Sequence, residues 1–502
     1  MAGIPDSGAV PAQSLPLPQD VWEATPPQAR ELTVSLLGQV HTLTQQVLAL
    51  GKRLEALEEQ TRTNSTNSSK PPSADPPGTL RNRKEKSGKG RGGQPGHKGH
   101  HRAMVPAEKV DHFLPHYPSK CTKCSRDLTS VNAVAGAEPV RHQVWELPPV
   151  QAEVTEHQLH RCCCPDCGAI SLAELPLGAP LGAFGPRLTA LAGLLVGQYR
   201  LSGRQCESLL KDGFGVAVSL GGIKGLESVI SASLESPVKE VHAAVQRSPV
   251  INADDTGWKE ANEKAVLWNA NTPNLAIFQI TPKKDHDSAR ALLGENFEGI
   301  LGVDRAKTYS FQDMRKLQSC WAHLDRHFQR MEDRGGESAA IGIWGKSEVD
   351  RFFGGWHKFK DGNLSRLELQ AEIIPIRARM ARLLGRGSQC GESGTDKTLH
   401  SKTGKTCANI KALLPAFFTC CFHEGVEPTN NTSERALRHP VQWRRTSFGT
   451  KSDAGSRFVE RILSTIETCR RQGLNVLGFL TKAVTALHFG SSPPSLLPAP
   501  SG

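Results

Sequence analysis

The segment PVINADD, residues 249–255, joins a short β-branched run to two adjacent carboxylates. Such a run favours a strand, because branched side chains pack well on a pleated surface. The patterns that follow read as strand, strand, helix, strand and strand, and they are AVLWNA (265–270), LAIFQI (275–280), DHDSARALLGENF (285–297), GILGVD (299–304) and QSCWA (318–322). Pro and Asn between the second and third strands suit antiparallel hairpins. The order predicts an α/β domain built on a mixed sheet.

Two of these predicted strands finish on an acid. The first is expected to end at Asp254 and the fourth at Asp304. If these strands are neighbours in the sheet, the two carboxylates lie side by side and repel unless a cation separates them. Ligands that offer only oxygen favour Mg²⁺ or Mn²⁺, which also bind phosphates.

A third acid stands in PTNNTSERALR, residues 428–438, where Glu434 opens a helical pattern. One interpretation is an ordinary helix start, with Thr429 or Asn430 as the cap and the acid matched to the helix dipole. The other is a two-metal site completed by this carboxylate. Pro440 is expected to end or kink the helix. The arginines placed where a phosphate backbone would pass are Arg435, Arg438, Arg444 and Arg445.

The N-terminal region carries a heptad pattern, which predicts a coiled-coil helix over residues 30–62. Its apolar positions alternate in steps of four and three, and they are Leu36, Val40, Leu43, Val47, Leu50, Leu54 and Leu57. We expect a homodimer from this seam. The alternative is an amphipathic helix that packs on its own chain.

Residues 63–105 are predicted to form a disordered basic linker, because Leu80 is the only large apolar residue in its central part, residues 63–102. Such an arm can neutralise phosphates without reading sequence, and the alternative is a solvated spacer. The residues assigned to DNA contact here are Lys84, Lys89 and Arg91.

Six of the 13 cysteines lie between Cys121 and Cys167, within a region (106–175) predicted to bind zinc. Two Cys-x-x-Cys knuckles, Cys121 with Cys124 and Cys164 with Cys167, offer four thiolates for a structural Zn²⁺. A hairpin in residues 142–161 is expected to bring the knuckles together. The odd cysteine total and the lack of a secretion signal favour a reducing compartment.

A helical DNA-binding domain is predicted over residues 176–245. The segment 201–230 reads as helix, turn and helix, so its second helix, near 219–233, is a candidate for groove binding. Many helical hairpins look alike, and simple packing is the alternative.

The chain resembles the insertion sequence 66 family of bacterial transposases over most of its length. The segments that carry the resemblance are NSSKPPSAD, GGQPGHKGH, the paired knuckles, ADDTGW, GILGVDRAKTYSF, CWAHLDRHF and PTNNTSERALRHPVQWRRTSFGTKSDAGSRFVERI. Where the family usually has Asp-Glu-Thr, this chain has Asp254-Asp255-Thr256. The resemblance implies a ribonuclease-H-like fold with an Asp-Asp-Glu triad, here Asp254, Asp304 and Glu434, that binds two Mg²⁺ or Mn²⁺.

The resemblance also implies the layout of the C-terminal half. The catalytic core would comprise residues 246–330 and 425–489, separated by a helical insertion over 331–424. Cys320-x-x-His323 matches a transposase signature, which gives His323 a role near the active site, and packing is the alternative. Residues 490–502 are rich in Ser and Pro and are predicted to be a disordered tail.

The leading functional hypothesis is a transposase that binds double-stranded DNA, both transposon ends and target. The formal net charge of +11 suits such a partner, and no segment predicts a membrane span. We expect a cytoplasmic, nucleoid-associated protein, and relatives of this family are often encoded with small accessory proteins. One alternative is a catalytically inactive DNA-binding relative acting as a regulator. Another is a ribonuclease or repair nuclease, which leaves the heptads, knuckles and basic arm unexplained.

Overall fold

The computed structural model describes residues 18–65, 67–68, 75, 102–134, 136–180, 182–304, 307–391 and 397–498. The chain divides into two compact units, one of residues 1–79, 237–474 and 495–502 and the other of residues 80–236 and 475–494. The helices are α1 (Gln19–Ala24), α2 (Pro27–Arg62), α3 (Pro186–Gly197), α4 (Gly203–Phe214), α5 (Leu220–Gln246), α6 (His286–Leu293), α7 (Trp321–Asp333), α8 (Gly336–Lys360), α9 (Arg366–Gly387), α10 (Lys397–Ala412), α11 (Thr419–Phe422), α12 (Asn431–Ser447), α13 (Asp453–Arg471) and α14 (Val476–Phe489). The strands are β1 (Arg161–Cys163), β2 (Ile170–Leu172), β3 (Val250–Glu260), β4 (Glu263–Asn271), β5 (Ala276–Thr281), β6 (Ile300–Val303) and β7 (Leu317–Ser319).

The first unit is built on a mixed sheet in the order β5-β4-β3-β6-β7. The strands β3, β4 and β5 pair antiparallel, whereas β6 runs parallel to β3 and β7 parallel to β6. The first and fourth strands of this domain are therefore adjacent, which meets the condition under which Asp254 and Asp304 lie side by side. The α/β class with a mixed sheet is confirmed.

The first strand is longer than the sequence prediction, because Asp254 lies inside β3 and not at its end. β3 continues to Glu260 and returns into β4 through a two-residue turn at Ala261 and Asn262, both with positive φ. Two positive φ angles are the signature of the tight turn that matches strand twist. The polar run after Asp254 is therefore strand, held by cross-strand pairing.

Helix α13 covers the outer edge of the sheet. Backbone N–H groups of Ala276, Phe278 and Ile280 on β5 donate to side-chain oxygens of α13. The acceptors lie four residues apart along one helix face and are Glu460, Ser464 and Thr468. An open sheet edge is a template for unwanted pairing, and this ladder of side chains removes it.

The predicted helical insertion is present as α8, α9, α10 and α11, packed on α7 around a buried aromatic cluster. Trp321 stacks on Phe352 with ring centroids 3.8 Å apart. At Gly345 a methyl group would come within 2.3 Å of the Phe328 ring, so α8 approaches α7 closely only because the side chain is absent. This packing fixes the position of α7. Within this insertion, the apolar segment 409–422 is not one continuous helix but is broken between α10 and α11.

The second unit contains α3, α4, α14 and the β1–β2 hairpin. The predicted helix, turn and helix over 201–230 is present as α4 and α5, joined through Gly215 with a left-handed backbone. Residues 142–160 form no strand, so the hairpin expected between the two knuckles is absent from this fully described stretch.

The predicted linker, residues 63–105, and the predicted tail, residues 490–502, both contain ordered contacts at residues that the structure describes. In the predicted tail, Leu496 is buried and Ser495 donates to Glu240, because this segment packs on its own unit. In the predicted linker, Asn67 is buried against α7. Most of that linker, including Lys84, Lys89 and Arg91, lies outside the described residues. Among the helices that are described, none combines the length and apolar character needed to span a bilayer.

Candidate active site

Asp254 on β3 matches in register Asp304, the residue that directly follows the adjacent parallel strand β6. Asn252 on β3 lies opposite Gly302 on β6, and each acid is two residues further along. Side chains alternate along a strand, so an even offset keeps both on one face. Burial raises the pKa of Asp254 to about 8, and the like charges of Asp304 and Glu434 contribute to the rise. The three acids predicted from sequence are therefore close enough to repel.

The neighbouring acid, Asp255, is in a different electrostatic situation. Its carboxylate lies 2.6 Å from the Lys284 ammonium, which opposes the rise that burial causes in its pKa. In the described part of the chain, Asp254 makes no ion pair with Lys or Arg. Asp255 is therefore compensated by a lysine of the chain, whereas Asp254 has no such cationic partner among the described residues.

The start of α12 is fixed to the sheet by Asn430. Its side-chain amide donates to the Ala253 carbonyl at 2.8 Å, and its side-chain oxygen accepts from Asn252 at 3.0 Å. Both partners directly precede Asp254 on β3. The expected cap bond from Asn430 is therefore not made, because the side chain is used between elements. Ser433, also on α12, accepts from Asn271 of β4.

Residues at the start of α7 also bond to the segment that precedes α12. The Asn430 N–H donates to the Cys320 sulfur at 3.2 Å, and the Trp321 N–H donates to the Pro428 carbonyl at 3.0 Å. Cys320 is buried, and that burial raises the pKa of its thiol. It thus acts here as an acceptor that joins two elements. The hydrogen bonds made by the polar segment 428–434 therefore position the first turn of α12.

Glu434, in that first turn, contacts two residues of α7. Its carboxylate lies 3.2 Å from the Arg326 guanidinium and 3.6 Å from His323 Nδ1. Arg326 also approaches the other ring nitrogen of His323 at 3.3 Å. Sequence reasoning singled out His323 and missed Arg326. The available signal was its position three residues beyond His323, on the same helix face.

The predicted DNA-contacting arginines of α12 divide into two kinds. Arg435, Arg438 and Arg445 are exposed and lie along one side of the helix. Arg444 instead donates to the Gly257 carbonyl and the Thr256 hydroxyl on β3. Helix α12 also continues through Pro440 to Ser447, so the proline does not end it.

Carboxylate oxygens are hard ligands that suit Mg²⁺ or Mn²⁺. A cation between the acids would relieve the repulsion that raises the pKa of Asp254. Glu434, however, is bonded to Arg326 in this arrangement. Across the described ranges, no three His, Cys, Asp or Glu side chains are arranged as a ready-made metal site. The donor chemistry fits the ions, and the three-carboxylate site stays a prediction.

The two cysteine knuckles adopt the same backbone geometry. In each, the first cysteine donates from its N–H to the carbonyl five residues on and accepts at its carbonyl from the N–H four residues on. Those fourth positions, Ser125 and Gly168, both have positive φ. Backbone N–H groups lower the pKa of Cys121 and Cys164, which favours thiolates. Each pair is preformed, while the four-thiolate site also stays a prediction.

Comparisons with known proteins agree with this layout. The Transposase IS66 family matches residues 182–457, more than half of the 502 residues. A family of unknown function (DUF6444) matches residues 21–103. The protein named "Uncharacterized protein y4qI" from Sinorhizobium fredii (strain NBRC 101917 / NGR234) is 28% identical over 253 residues. That match covers 45% of this chain and 44% of the relative, so the chain spans less than half the length of this curated relative.

Proposed function

The chain belongs to the Transposase IS66 family, and from this premise we propose that it binds transposon ends and cuts and joins DNA with divalent ions. The observation that carries the proposal is the pairing of Asp254 and Asp304 at matching register on β3 and β6, with Glu434 within electrostatic reach. The order of the mixed sheet supports a ribonuclease-H-like core, in which three antiparallel strands are followed by two parallel ones.

Asp254, Asp304 and Glu434 would hold two Mg²⁺ or Mn²⁺ ions. When bound, such ions stabilise the charge on the attacking and departing oxygens at phosphorus. For Glu434 to take part, its carboxylate exchanges Arg326 for the ion. Arg326 then has a free guanidinium beside the site, where it can bind a phosphate oxygen in a bidentate way. His323 packs beside both groups and restricts where the Glu434 side chain can move.

The proposed chemistry has two balanced steps. In the first, a water oxygen bonds to phosphorus at the transposon end, and the 3′ oxygen leaves as a hydroxyl after taking a proton. In the second, that 3′ hydroxyl oxygen bonds to a target phosphorus and the target 3′ oxygen leaves with the proton. The number of phosphodiester bonds is unchanged in the second step.

DNA would lie along the exposed arginines of α12. Arg435, Arg438 and Arg445 present charge on one side of the helix that carries Glu434. The basic arm around Lys84, Lys89 and Arg91 would add contacts that do not depend on sequence. The helical domain at 176–245, the zinc domain at 106–175 and a homodimer formed through α2 complete the proposed assembly.

The test is 3′-end nicking of duplex DNA taken from the boundaries of the element that encodes the chain, with Mn²⁺ added. We expect the wild type to nick and Glu434→Ala to lose nicking. The matched control is Glu427→Ala, which removes an exposed carboxylate whose ion-pair partner among the described residues is Lys360 on the surface. If wild type and Glu434→Ala nick equally, the enzyme proposal fails. If neither nicks yet both bind the ends, the inactive DNA-binding regulator is supported.

A further inference from the structure

Helix α2 presents an uncovered apolar seam. Its heptad residues are between 51% and 67% exposed, and they are Leu36, Val40, Leu43, Val47, Leu50, Leu54 and Leu57. Seven large apolar side chains in one stripe form a patch that a soluble protein normally covers. The repeat of 3.5 residues is the spacing that suits another helix of the same kind.

The residue types in the seam favour two strands. Val40, Val47 and Leu54 occupy the a positions, and leucine occupies every d position from Leu36 to Leu57. β-Branched residues at a with leucine at d favour a dimer in parallel coiled coils. A second copy of α2 supplies an identical seam, so the pairing is self-complementary.

Charged residues beside the seam favour a parallel over an antiparallel arrangement of two α2 helices. Arg53 is at a g position and Glu58 at the e position of the next heptad. In a parallel, in-register pair, g faces the partner's following e, so Arg53 of each copy meets Glu58 of the other. An antiparallel pair sets g against g, which would place Arg53 opposite glutamines. The charges therefore match only in the parallel arrangement.

A short connection joins this seam to the catalytic unit. Helix α2 ends at Arg62, and five residues later Asn67 is buried on α7. The Asn67 side chain donates to Asp333 at 2.6 Å, and its carbonyl accepts from Arg330 at 3.0 Å. Arg330 lies one turn beyond Arg326, the residue that holds Glu434. We call these contacts of Asn67 the α7 clasp.

We propose that α2 pairs in parallel and in register with α2 of a second copy, and that the α7 clasps then hold two catalytic units side by side. The inference rests on the proposed function, whose homodimer it makes specific. Paired helices lie about 10 Å apart, and five residues span at most roughly 18 Å. The two clasps would therefore lie within about 45 Å, at the same end of the coil, a spacing that suits two DNA ends processed together.

The first test is charge reversal in the full-length chain, with the dimer dissociation constant measured by sedimentation. Arg53→Glu alone and Glu58→Arg alone should each weaken the dimer by about tenfold, because each creates two like-charge pairs. The double variant Arg53→Glu/Glu58→Arg should restore it. A monomeric wild type, or a double variant weaker than either single one, would overturn the proposal. The variants change exposed side chains, and circular dichroism checks that the helix persists.

The second test is disulfide trapping. Val40→Cys should form a covalent dimer with itself, since a positions near one end of a parallel coil face each other. The matched control, Gln45→Cys, places the thiol at an outer f position and should give no more dimer than wild type. If Val40→Cys crosslinks only when mixed with Leu57→Cys, a d position at the other end of the seam, the coil is antiparallel. None of these measurements involves metal or DNA, so their failure is distinguishable from a failure of the nicking assay.

Discussion

Two places in the same sheet bury an acid, and the charges around the two acids are opposite in sign. At the β5 edge, Glu460 accepts from the Ile280 N–H and pairs with Arg457 at 2.7 Å. At the β3–β6 junction, the like charges of Asp304, Asp255 and Glu434 add to the rise that burial causes in the pKa of Asp254. Burial raises the pKa of Glu460 to about 7 and that of Asp254 to about 8. A raised pKa therefore does not by itself mark a functional acid, and these two acids differ in the charge of their neighbours.

The largest expected effect is at Asp254. Asp254→Asn should lower nicking on the order of 10³-fold, while raising the free energy of unfolding by about 1–3 kcal/mol in metal-free buffer, because the amide replaces a carboxyl whose ionisation is opposed by burial and by neighbouring carboxylates. Nicking assays and urea unfolding measure the two changes. Asp255→Asn is the matched control, because it also breaks the pair with Lys284 and should therefore stabilise less than Asp254→Asn. A fall in both activity and stability for Asp254→Asn would show that Asp254 is not destabilised by its neighbours and would contradict its contrast with Glu460.

The second prediction concerns pH at the structural acid. The pKa of Glu460 is raised from 4.5 to about 7 in the folded chain, so the folded state holds a proton that the unfolded state has released. Stability contributed by this group is therefore present at pH 4.5 and lost as the pH rises to 7. Glu460→Gln should remove that slope and stabilise the chain at pH 8 by up to about 3 kcal/mol, with no loss of nicking.

Urea unfolding at pH 5 and pH 8 checks this prediction. Glu467→Gln is the control, because Glu467 lies on the same helix and pairs with Arg471 but contacts no β5 N–H. An equal pH response in wild type and Glu460→Gln would show that this acid does not set the slope.

The third prediction concerns the β5 edge, where side chains of α13 accept from backbone N–H groups. Ser464→Ala removes the acceptor for the buried Phe278 N–H. An unsatisfied buried donor costs about 1–3 kcal/mol, so the free energy of unfolding should fall by that amount. Ser464→Thr, which keeps the hydroxyl, should recover most of the loss. Unchanged stability in Ser464→Ala would mean that the α13 ladder does not protect the edge.

The smallest expected effect separates two arginines on α12. Arg438→Ala should weaken DNA binding by a few fold at all sequences and reduce the slope of log affinity against log salt by about one. Arg444→Ala should leave that slope unchanged and lower stability, because its partners are Thr256 and Gly257. Salt titrations of binding measure both. Equal slopes in the two variants would place the DNA elsewhere.

Sequence reasoning reached the order of strands and helices along the chain and the chain region of each acid. It left open whether the first and fourth strands are neighbours, because the apolar runs do not encode which strands pair, and the structure supplies that pairing. It stopped β3 too early, because the polar run after Asp254 hides a strand that only its pairing with β4 reveals.

The contacts that build the site were beyond sequence reasoning for a physical reason. Arg326 meets Glu434 across 108 residues, and Asn430 meets Ala253 across 177. Such contacts depend on how α7 and α12 pack on the sheet, which local propensity does not encode. The covering of β5 by Glu460 was missed for the same reason, because its partners are backbone groups of another element.

The central claim is that Asp254, Asp304 and Glu434 converge on divalent ions, and the most direct test is a crystal of the full-length chain soaked in Mn²⁺ with anomalous scattering recorded. The account predicts manganese peaks bound by Asp254 and Asp304, with the Glu434 carboxylate moved from Arg326 to the ion. Manganese absent from this position, or bound while Glu434 stays on Arg326, would contradict it.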